Sequence, residues 1–490
     1  MFSRKIFFTL IISLVSFQTL RAEYKVTEKC TQAWEALFNL DFITAHKLVQ
    51  EELKVNPSNY YAYYVDQQID AYFMMINASH SDYEHFEEQY KKRREIMDGK
   101  STESPYYAMC EAEMQLQMGV FNVFFGDRLS GIRRAYSAYK KFYSAQKANP
   151  DFIYNRKMIG MFNIALSNLP PFAAWAAGTF GIKGDYDTGF NIMFQYFDDV
   201  KNMKGLNTEA ALYITLGYKL NKEPEKAYLF LESVNENIID YRLLKYFHGN
   251  TAWASGKNAR AIELFSKFNP SELEIEFLPY NYMMGKIQMR SLDKQAETNL
   301  LVFLRKTKKE AYLKEINYYL ALYYLMNGNL ELFEKYKKTA DDKGGDLTER
   351  DREAMYDCDL DYIPNPVLVK CRLLMDGGYY DRFNLTMKNF QLSEAKLLPY
   401  KLEYYLLMGK YYEAKNNNNS AIDSYKMVLS LGSSTDYYFA SEAALRLGEY
   451  YEDKDKSLAK SYFEISLDLY DSDYYEYIVN LDSKGLERVD

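Results

Sequence analysis

A repeated pattern of small and large residues constrains the fold of this 490-residue chain more than any other feature. In its clearest copy, Gly409 and Ala421 stand 12 residues apart and are surrounded by large residues. Two helices can approach closely at these positions because neither residue carries more than a methyl group. Residues 416–419 supply a polar turn between the helices, and the large residues would fill the groove to the next hairpin. The complete pattern is Tyr405, Met408, Gly409, Tyr412, Ala421, Tyr425 and Val428.

Five further segments keep these intervals with varying fidelity. They are His248-Gly249 with Ala261, Phe265 and Phe268; Leu447-Gly448 with Tyr451, Ala459 and Phe463; Met284-Gly285 with Ala296, Leu300 and Phe303; Leu216-Gly217 with Ala227 and Leu231; and Ala33, Ala45, Val49 and Pro57. The spacing is that of the tetratricopeptide repeat. Six copies predict an all-α solenoid of helical hairpins, in which each hairpin buries its apolar stripe on the next.

The length of the chain agrees with an array of repeats. A single hydrophobic core stops growing near roughly 250–300 residues, yet no Gly/Ser-rich or Pro-rich linker divides this chain. We therefore expect N-terminal helical hairpins over 23–157, an apolar hairpin and its following helix over 158–204, and a repeat array over 205–490. Residues 1–22 are set apart as an export signal.

The N-terminus has the three parts of a signal peptide. Arg4 and Lys5 precede an apolar stretch at 6–17, and Ala22 is the small residue that a signal peptidase requires. Cleavage after Ala22 would remove three basic and no acidic residues, changing the net charge from −8 to −11. We expect an exported protein of the periplasm or cell envelope. Its acidity argues against binding nucleic acid or anionic lipid surfaces.

The stretch from Met158 to Ile182 carries no charge, although 26% of the chain is charged. Pro170 and Pro171 divide it into two apolar halves. Asn163 and Ser167 would lack hydrogen-bond partners in lipid, so a membrane crossing is disfavoured. Two interpretations stay open: a buried hairpin inside the solenoid, or a hairpin that exposes Phe172 and Trp175 to a partner or lipid.

This region resembles a known family signature. Its residues, in order, are Gly160, Phe162-Asn163, Leu166-Ser167, Leu169-Pro170-Pro171, Phe180-Gly181, Gly184-Asp185 and Gly189. They are similar to the signature of the tetratricopeptide repeat protein 39 family, which includes the fungal inclusion-body-clearance proteins. The resemblance implies an all-helical repeat protein without an established catalytic activity. Members of that family are intracellular, whereas this chain begins with an export signal, so only the fold is carried over.

The cysteines allow one favoured pairing. Cys358 and Cys371 lie at similar distances on either side of Pro364-Asn365-Pro366. If antiparallel helices flank this break, a disulfide between them is expected in an exported protein. The alternative is two buried thiols that act as small hydrophobic residues.

No catalytic, metal-binding or cofactor-binding motif stands out, and no enzyme activity is predicted. The preferred hypothesis is an exported, non-catalytic scaffold that binds a peptide or protein. The alternatives are a carrier of a lipid or other hydrophobic ligand and a glycan-binding envelope protein. The candidate binding residues come from the apolar hairpin and its end: Phe162, Asn163, Ser167, Pro170, Pro171, Phe172, Trp175 and Asp185.

Overall fold

Short turns join helix after helix, and the described part of the chain contains no β-strand. The computed structural model describes residues 24–77, 79–169, 177–179, 181–345, 348–469 and 476–489. The expected signal peptide lies outside these residues, as do four candidate binding residues, Pro170, Pro171, Phe172 and Trp175. None of the described helices combines the length and apolarity that a bilayer crossing needs.

We number the helices in chain order. They are α1 Glu28–Phe38, α2 Phe42–Val55, α3 Tyr60–Asn77, α4 His80–Met97, α5 Pro105–Phe124, α6 Arg128–Ala148, α7 Arg156–Ser167, α8 Tyr186–Val200, α9 Leu206–Leu220, α10 Pro224–Ser233, α11 Glu236–Ile239, α12 Arg242–Ala254, α13 Asn258–Ser266, α14 Leu278–Arg290, α15 Gln295–Lys306, α16 Leu313–Met326, α17 Leu330–Asp342, α18 Glu349–Asp359, α19 Pro366–Asp376, α20 Tyr380–Met387, α21 Leu398–Ala414, α22 Asn418–Gly432, α23 Phe439–Tyr451, α24 Lys456–Asp468 and α25 Glu476–Val489.

Most of these helices form antiparallel pairs that stack one after another. The pairs are α1/α2, α3/α4, α5/α6, α7/α8, α9/α10, α12/α13, α14/α15, α16/α17, α19/α20, α21/α22 and α23/α24. Helix α25 packs on the last pair, while α11 and α18 are inserted between pairs. This arrangement confirms the predicted all-α solenoid of tetratricopeptide-like hairpins.

Seven of the pairs share one turn. In each, a residue of positive φ ends the first helix, and the amide after it donates to a carbonyl five residues earlier. This is the Schellman cap, which favours glycine because of its left-handed backbone. The left-handed residues are Leu40, Lys222, Gly256, Leu292, Gly328, Gly378 and Asn416. The same turn therefore recurs even where glycine does not.

A buried small residue stands seven positions before each of these turns. The seven are Ala33, Thr215, Gly249, Gly285, Ala321, Cys371 and Gly409. Two of them, Ala321 and Cys371, belong to pairs that the sequence pattern did not identify. In those pairs the second helix places Phe333 and Phe383 at the position where other copies carry alanine.

The small residues allow the second helix of a pair to press against the first. A Cβ atom added at Gly249 would overlap the ring of Phe265, and one at Gly409 would lie 2.5 Å from Cε1 of Tyr425. In the same way, a Cβ atom added at Gly285 would meet Leu300, and one added at Gly448 would meet Phe463. On the second helices, Ala261, Ala421 and Ala459 are buried.

Gly217 has a different role from the one expected. An added Cβ there would lie 3.1 Å from Ile164 and 3.3 Å from Phe190, which belong to α7 and α8. The position that faces its own pair is Thr215, which is fully buried. The expected register of this copy is therefore displaced by two residues.

The expected disulfide between Cys358 and Cys371 does not form. All four cysteines are free and buried. Helix α18 packs on α16 and α17, whereas α19 pairs with α20, so the two helices beside the proline break are not partners. The thiol of Cys358 donates to the carbonyl of Lys337 at 3.7 Å. Cys371 occupies the small-residue position of its own pair and packs with Phe383.

The solenoid curves until distant helices touch. The hydroxyl of Tyr241 donates to Glu35 at 2.9 Å, and the ammonium of Lys309 donates to the carbonyl of Met75 at 3.1 Å. Near the other end of the chain, Lys484 donates to the carbonyl of Asn221 at 2.9 Å. These contacts join successive turns of the array, which surrounds a central space.

Substitution of Gly249 by alanine tests the packing at the small-residue position. Replacing glycine by alanine at an exposed helix position stabilises the helix by about 1 kcal/mol. Here, however, the added methyl group would meet the buried ring of Phe265. We expect Gly249→Ala to lower the free energy of unfolding by about 1–3 kcal/mol, the usual cost of overpacking. Urea denaturation measures this change. The exposed control Ser266→Ala should stay within about 0.5 kcal/mol, and a gain in stability for Gly249→Ala would contradict the packing.

Candidate functional site

The space enclosed by the solenoid is a cavity of about 1310 Å³. Its lining runs from Ala71 on α3 to Leu481 on α25, so most of the helix pairs contribute to it. Sites for small molecules usually occupy about 300–1,000 Å³. This cavity is large enough for a bigger ligand.

One side of the cavity is apolar and aromatic. It is formed chiefly by α3, α5, α9 and α12, with lining residues that include Tyr72, Phe73, Leu116, Phe121, Tyr213, Leu216, Tyr246 and Phe247. Because their packing partners lie behind them, these side chains present one face to the cavity. This side suits apolar groups of a ligand.

The opposite side is lined by charged residues that form pairs. Lys410 and Glu442 are 2.5 Å apart, and Arg350 and Glu353 are 2.7 Å apart. These residues lie on α18, α21 and α23. Since the charges are largely matched, this side is polar without a strong excess of either sign.

Between the two sides lies a group that we call the basic–aromatic cluster: Lys219, Asn250, Trp253, Lys286 and Arg290. The guanidinium carbon of Arg290 lies 4.0 Å from the centre of the Trp253 ring, and Nζ of Lys286 lies 4.4 Å from it. Nζ of Lys219 donates to the side-chain oxygen of Asn250. All five residues line the cavity from α9, α12 and α14, which follow one another along the array.

Only one of the three cations in this cluster has a carboxylate beside it. Lys286 lies 2.5 Å from Glu315, which also accepts from the hydroxyl of Tyr282 at 2.6 Å. Arg290 donates to the carbonyl of Trp253 at 2.5 Å, and among the described residues neither Arg290 nor Lys219 has a carboxylate within 4 Å. The cluster therefore has an excess of positive charge.

The surroundings of these cations disfavour their charged forms. Burial, reinforced by the nearby charge of Lys286, lowers the pKa of Lys219 to about 8. Burial also lowers the pKa of Lys286 to about 8, although Glu315 opposes it. Desolvation lowers the pKa of Arg290 as well. An amine without a counter-ion loses hydration that nothing replaces.

A second cluster, more deeply buried, lies beside the apolar side. Nζ of Lys157 is 2.6 Å from Glu209, 3.1 Å from Glu113 and 3.3 Å from the hydroxyl of Tyr64. Burial lowers the pKa of Lys157, but the two carboxylates outweigh it and the net shift is upward. Burial raises the pKa of Glu209. Here two carboxylates face one ammonium group, so the cluster has no excess of positive charge, unlike the basic–aromatic cluster.

Helix α7 carries the described candidate binding residues Phe162, Asn163 and Ser167, and none of the three lines the cavity. Phe162 packs edge-on against Tyr139 at 5.4 Å. The amide of Asn163 donates to the hydroxyl of Tyr143 at 3.1 Å, and the hydroxyl of Ser167 donates to its own helix.

Asp185 is the remaining described candidate, and it caps α8. Its carboxylate accepts from the backbone amide of Thr188 at 2.7 Å. Two signature glycines join α7 to α8, since a Cβ at Gly160 would meet Met193 at 2.6 Å and one at Gly189 would meet Ile164 at 2.7 Å. In the structure, the described signature residues thus pack helices together or cap them.

Sequence reasoning missed the basic–aromatic cluster. Asn250 and Lys286 each follow a small-residue glycine by one position, and Lys219 lies on the corresponding first helix of its pair. Comparing the polar residues beside the glycines of successive pairs would have revealed Asn250 and Lys286, but not Lys219, which lies four residues after Thr215. The cluster forms only because three successive helix pairs place these residues side by side. The sequence of a single repeat does not show this arrangement.

No protein-family model and no curated protein matches the chain. Among solved structures, it is similar to one described as "Crystal structure of APC/C hetero-tetramer Cut9-Hcn1", with 13% identity, a TM-score of 0.23, and coverage of 95% of this chain and 96% of that one.

Removing the charge of Lys219 tests the electrostatics of the cluster. A lysine whose pKa falls from 10.5 to about 8 on folding binds fewer protons in the folded than in the unfolded state between these values. Stability should therefore rise with pH from about 8 to 10.5. Urea denaturation across this range should show a smaller rise for Lys219→Met. An unchanged pH slope in Lys219→Met, with the exposed control Lys267→Met also unchanged, would contradict the lowered pKa.

Proposed function

We propose that this chain is a non-catalytic repeat scaffold that binds an extended segment of a partner protein inside its central cavity. The observation that supports the proposal is the lining itself: successive helix pairs present aromatic rings on one side and paired charges on the other. Repeat arrays commonly use such concave surfaces for binding. The N-terminal sequence favours a role in the cell envelope, and we include that location in the proposal.

A peptide fits this lining better than a small metabolite does. The cavity volume exceeds that of usual small-molecule sites. A peptide carries apolar side chains together with polar backbone groups. The aromatic side can accept the first, and pairs such as Lys410 with Glu442 can hydrogen-bond the second.

A carrier of a hydrophobic ligand is the second candidate. The observation in its favour is the apolar side formed by residues such as Phe73, Leu216 and Phe247. An acyl chain would use that side alone and leave the charged side to water. A glycan ligand has no comparable observation in its favour.

Two tryptophan substitutions separate binding in the cavity from binding on the outer surface. Ala254 lines the cavity, whereas Ala259 is exposed on the next helix. A library of synthetic peptides is screened against the mature protein by fluorescence anisotropy. We expect binders whose affinity falls at least about tenfold in Ala254→Trp, because the new ring fills space the peptide needs. Ala259→Trp should bind normally.

Two results would count against the peptide proposal. One is a set of binders that Ala259→Trp weakens as much as Ala254→Trp does. The other is a protein that binds no peptide but carries a lipid in native mass spectrometry, with the lipid lost in Ala254→Trp. The second result would support the carrier instead. Thermal unfolding of both variants verifies that the fold is kept.

A further inference from the structure

The basic–aromatic cluster has more hydrogen-bond donors than acceptors. The indole N–H of Trp253 is buried and has no acceptor among the described residues, although Trp253 lines the cavity. The side chain of Trp253 is flanked by Lys286 and Arg290. Buried donors are usually paired with acceptors in folded proteins, so this N–H adds to the excess of donors in the cluster.

The charge of the cluster also favours an anionic ligand. Glu315 compensates Lys286, while the hydrogen-bond partner of Lys219 among the described residues is the neutral side chain of Asn250. The charge of Asp376 acts on the pKa of Arg290 from a distance, but no ion pair joins the two residues. A chain with a net charge of −8 thus places uncompensated positive charge on its inner wall. An anion bound there would restore the balance.

We propose that the basic–aromatic cluster binds a carboxylate of the partner segment, so that the preferred segment is acidic with an apolar or aromatic residue beside the acid. This inference rests on the proposed function. The carboxylate would accept from Lys219, with Arg290 contributing charge. The neighbouring residue would contact Phe247 and Tyr246 on the apolar side.

The deeply buried cluster around Lys157 shows what a purely structural arrangement looks like in this protein. There, one ammonium meets two carboxylates and a hydroxyl at 2.6–3.3 Å. The basic–aromatic cluster differs in charge balance, and all five of its residues line the cavity, whereas Glu113 alone does so in the Lys157 cluster. A structural role would not need an unmatched cation on that surface. An acidic ligand explains both features.

Paired peptide libraries provide the test. One library contains Asp and Glu, and its partner replaces each with Asn or Gln; both are measured against the mature protein by fluorescence anisotropy. Dodecanoate is measured separately by native mass spectrometry. The variants are Lys219→Met, Lys219→Arg, the exposed control Lys267→Met and the cavity-filling Ala254→Trp.

We expect acidic peptides to bind about tenfold to a hundredfold more tightly than their amide counterparts, since hydrogen bonds to charged groups have energies of that order. Lys219→Met should abolish this preference without lowering the melting temperature, because it removes an uncompensated charge. Lys219→Arg should keep most of the preference. Lys267→Met should keep all of it.

The other outcomes overturn one proposal or both. Peptides that Ala254→Trp blocks, but that bind equally well in acid and amide form, would leave the scaffold proposal standing and overturn the carboxylate site. Equal acid preference in the native protein and Lys219→Met would also overturn it. Dodecanoate bound through Lys219, with no acidic peptide bound, would overturn the peptide ligand itself.

Discussion

The buried ammonium group of Lys157 joins the N-terminal hairpins to the array that surrounds the cavity. It lies on α7 and contacts Tyr64 on α3, Glu113 on α5 and Glu209 on α9. Removing one partner of a buried ion pair costs about 3–5 kcal/mol, because the remaining charge loses its compensation. Four helices from different pairs therefore depend on one set of contacts. Three of them, α3, α5 and α9, also form the apolar side of the cavity.

The two lysine clusters show how one residue type takes different roles in one fold. Around Lys157 the protein itself supplies two carboxylates for one ammonium group. Around Lys219 it supplies an amide and one aromatic ring, that of Phe247, but no acid within 4 Å among the described residues. Aromatic faces stabilise a cation only weakly compared with a carboxylate. The fold thus tolerates an unfavourable charge where the surface faces the cavity.

Much of the fold could be predicted from the sequence, because close helix contacts require small residues at regular intervals. Gly249 and Gly409 marked their pairs in this way. The pairs containing Ala321 and Cys371 were missed, since each places phenylalanine opposite its small residue and the pattern sought a second small residue. Gly217 was assigned to the wrong contact because the true small position is Thr215. The cavity cluster could not be predicted, since it depends on the relative rotation of three pairs.

The contacts between successive turns of the array affect how such a protein can change during evolution. In an open solenoid each repeat touches only its neighbours, so units can be gained or lost during evolution with little effect elsewhere. Here, contacts such as Tyr241 with Glu35 and Lys484 with the carbonyl of Asn221 join residues more than 200 positions apart. Adding one hairpin between the two ends of such a contact would move one end relative to the other. The number of units within a turn is consequently constrained, and such a chain should diversify by substitution along its inner wall.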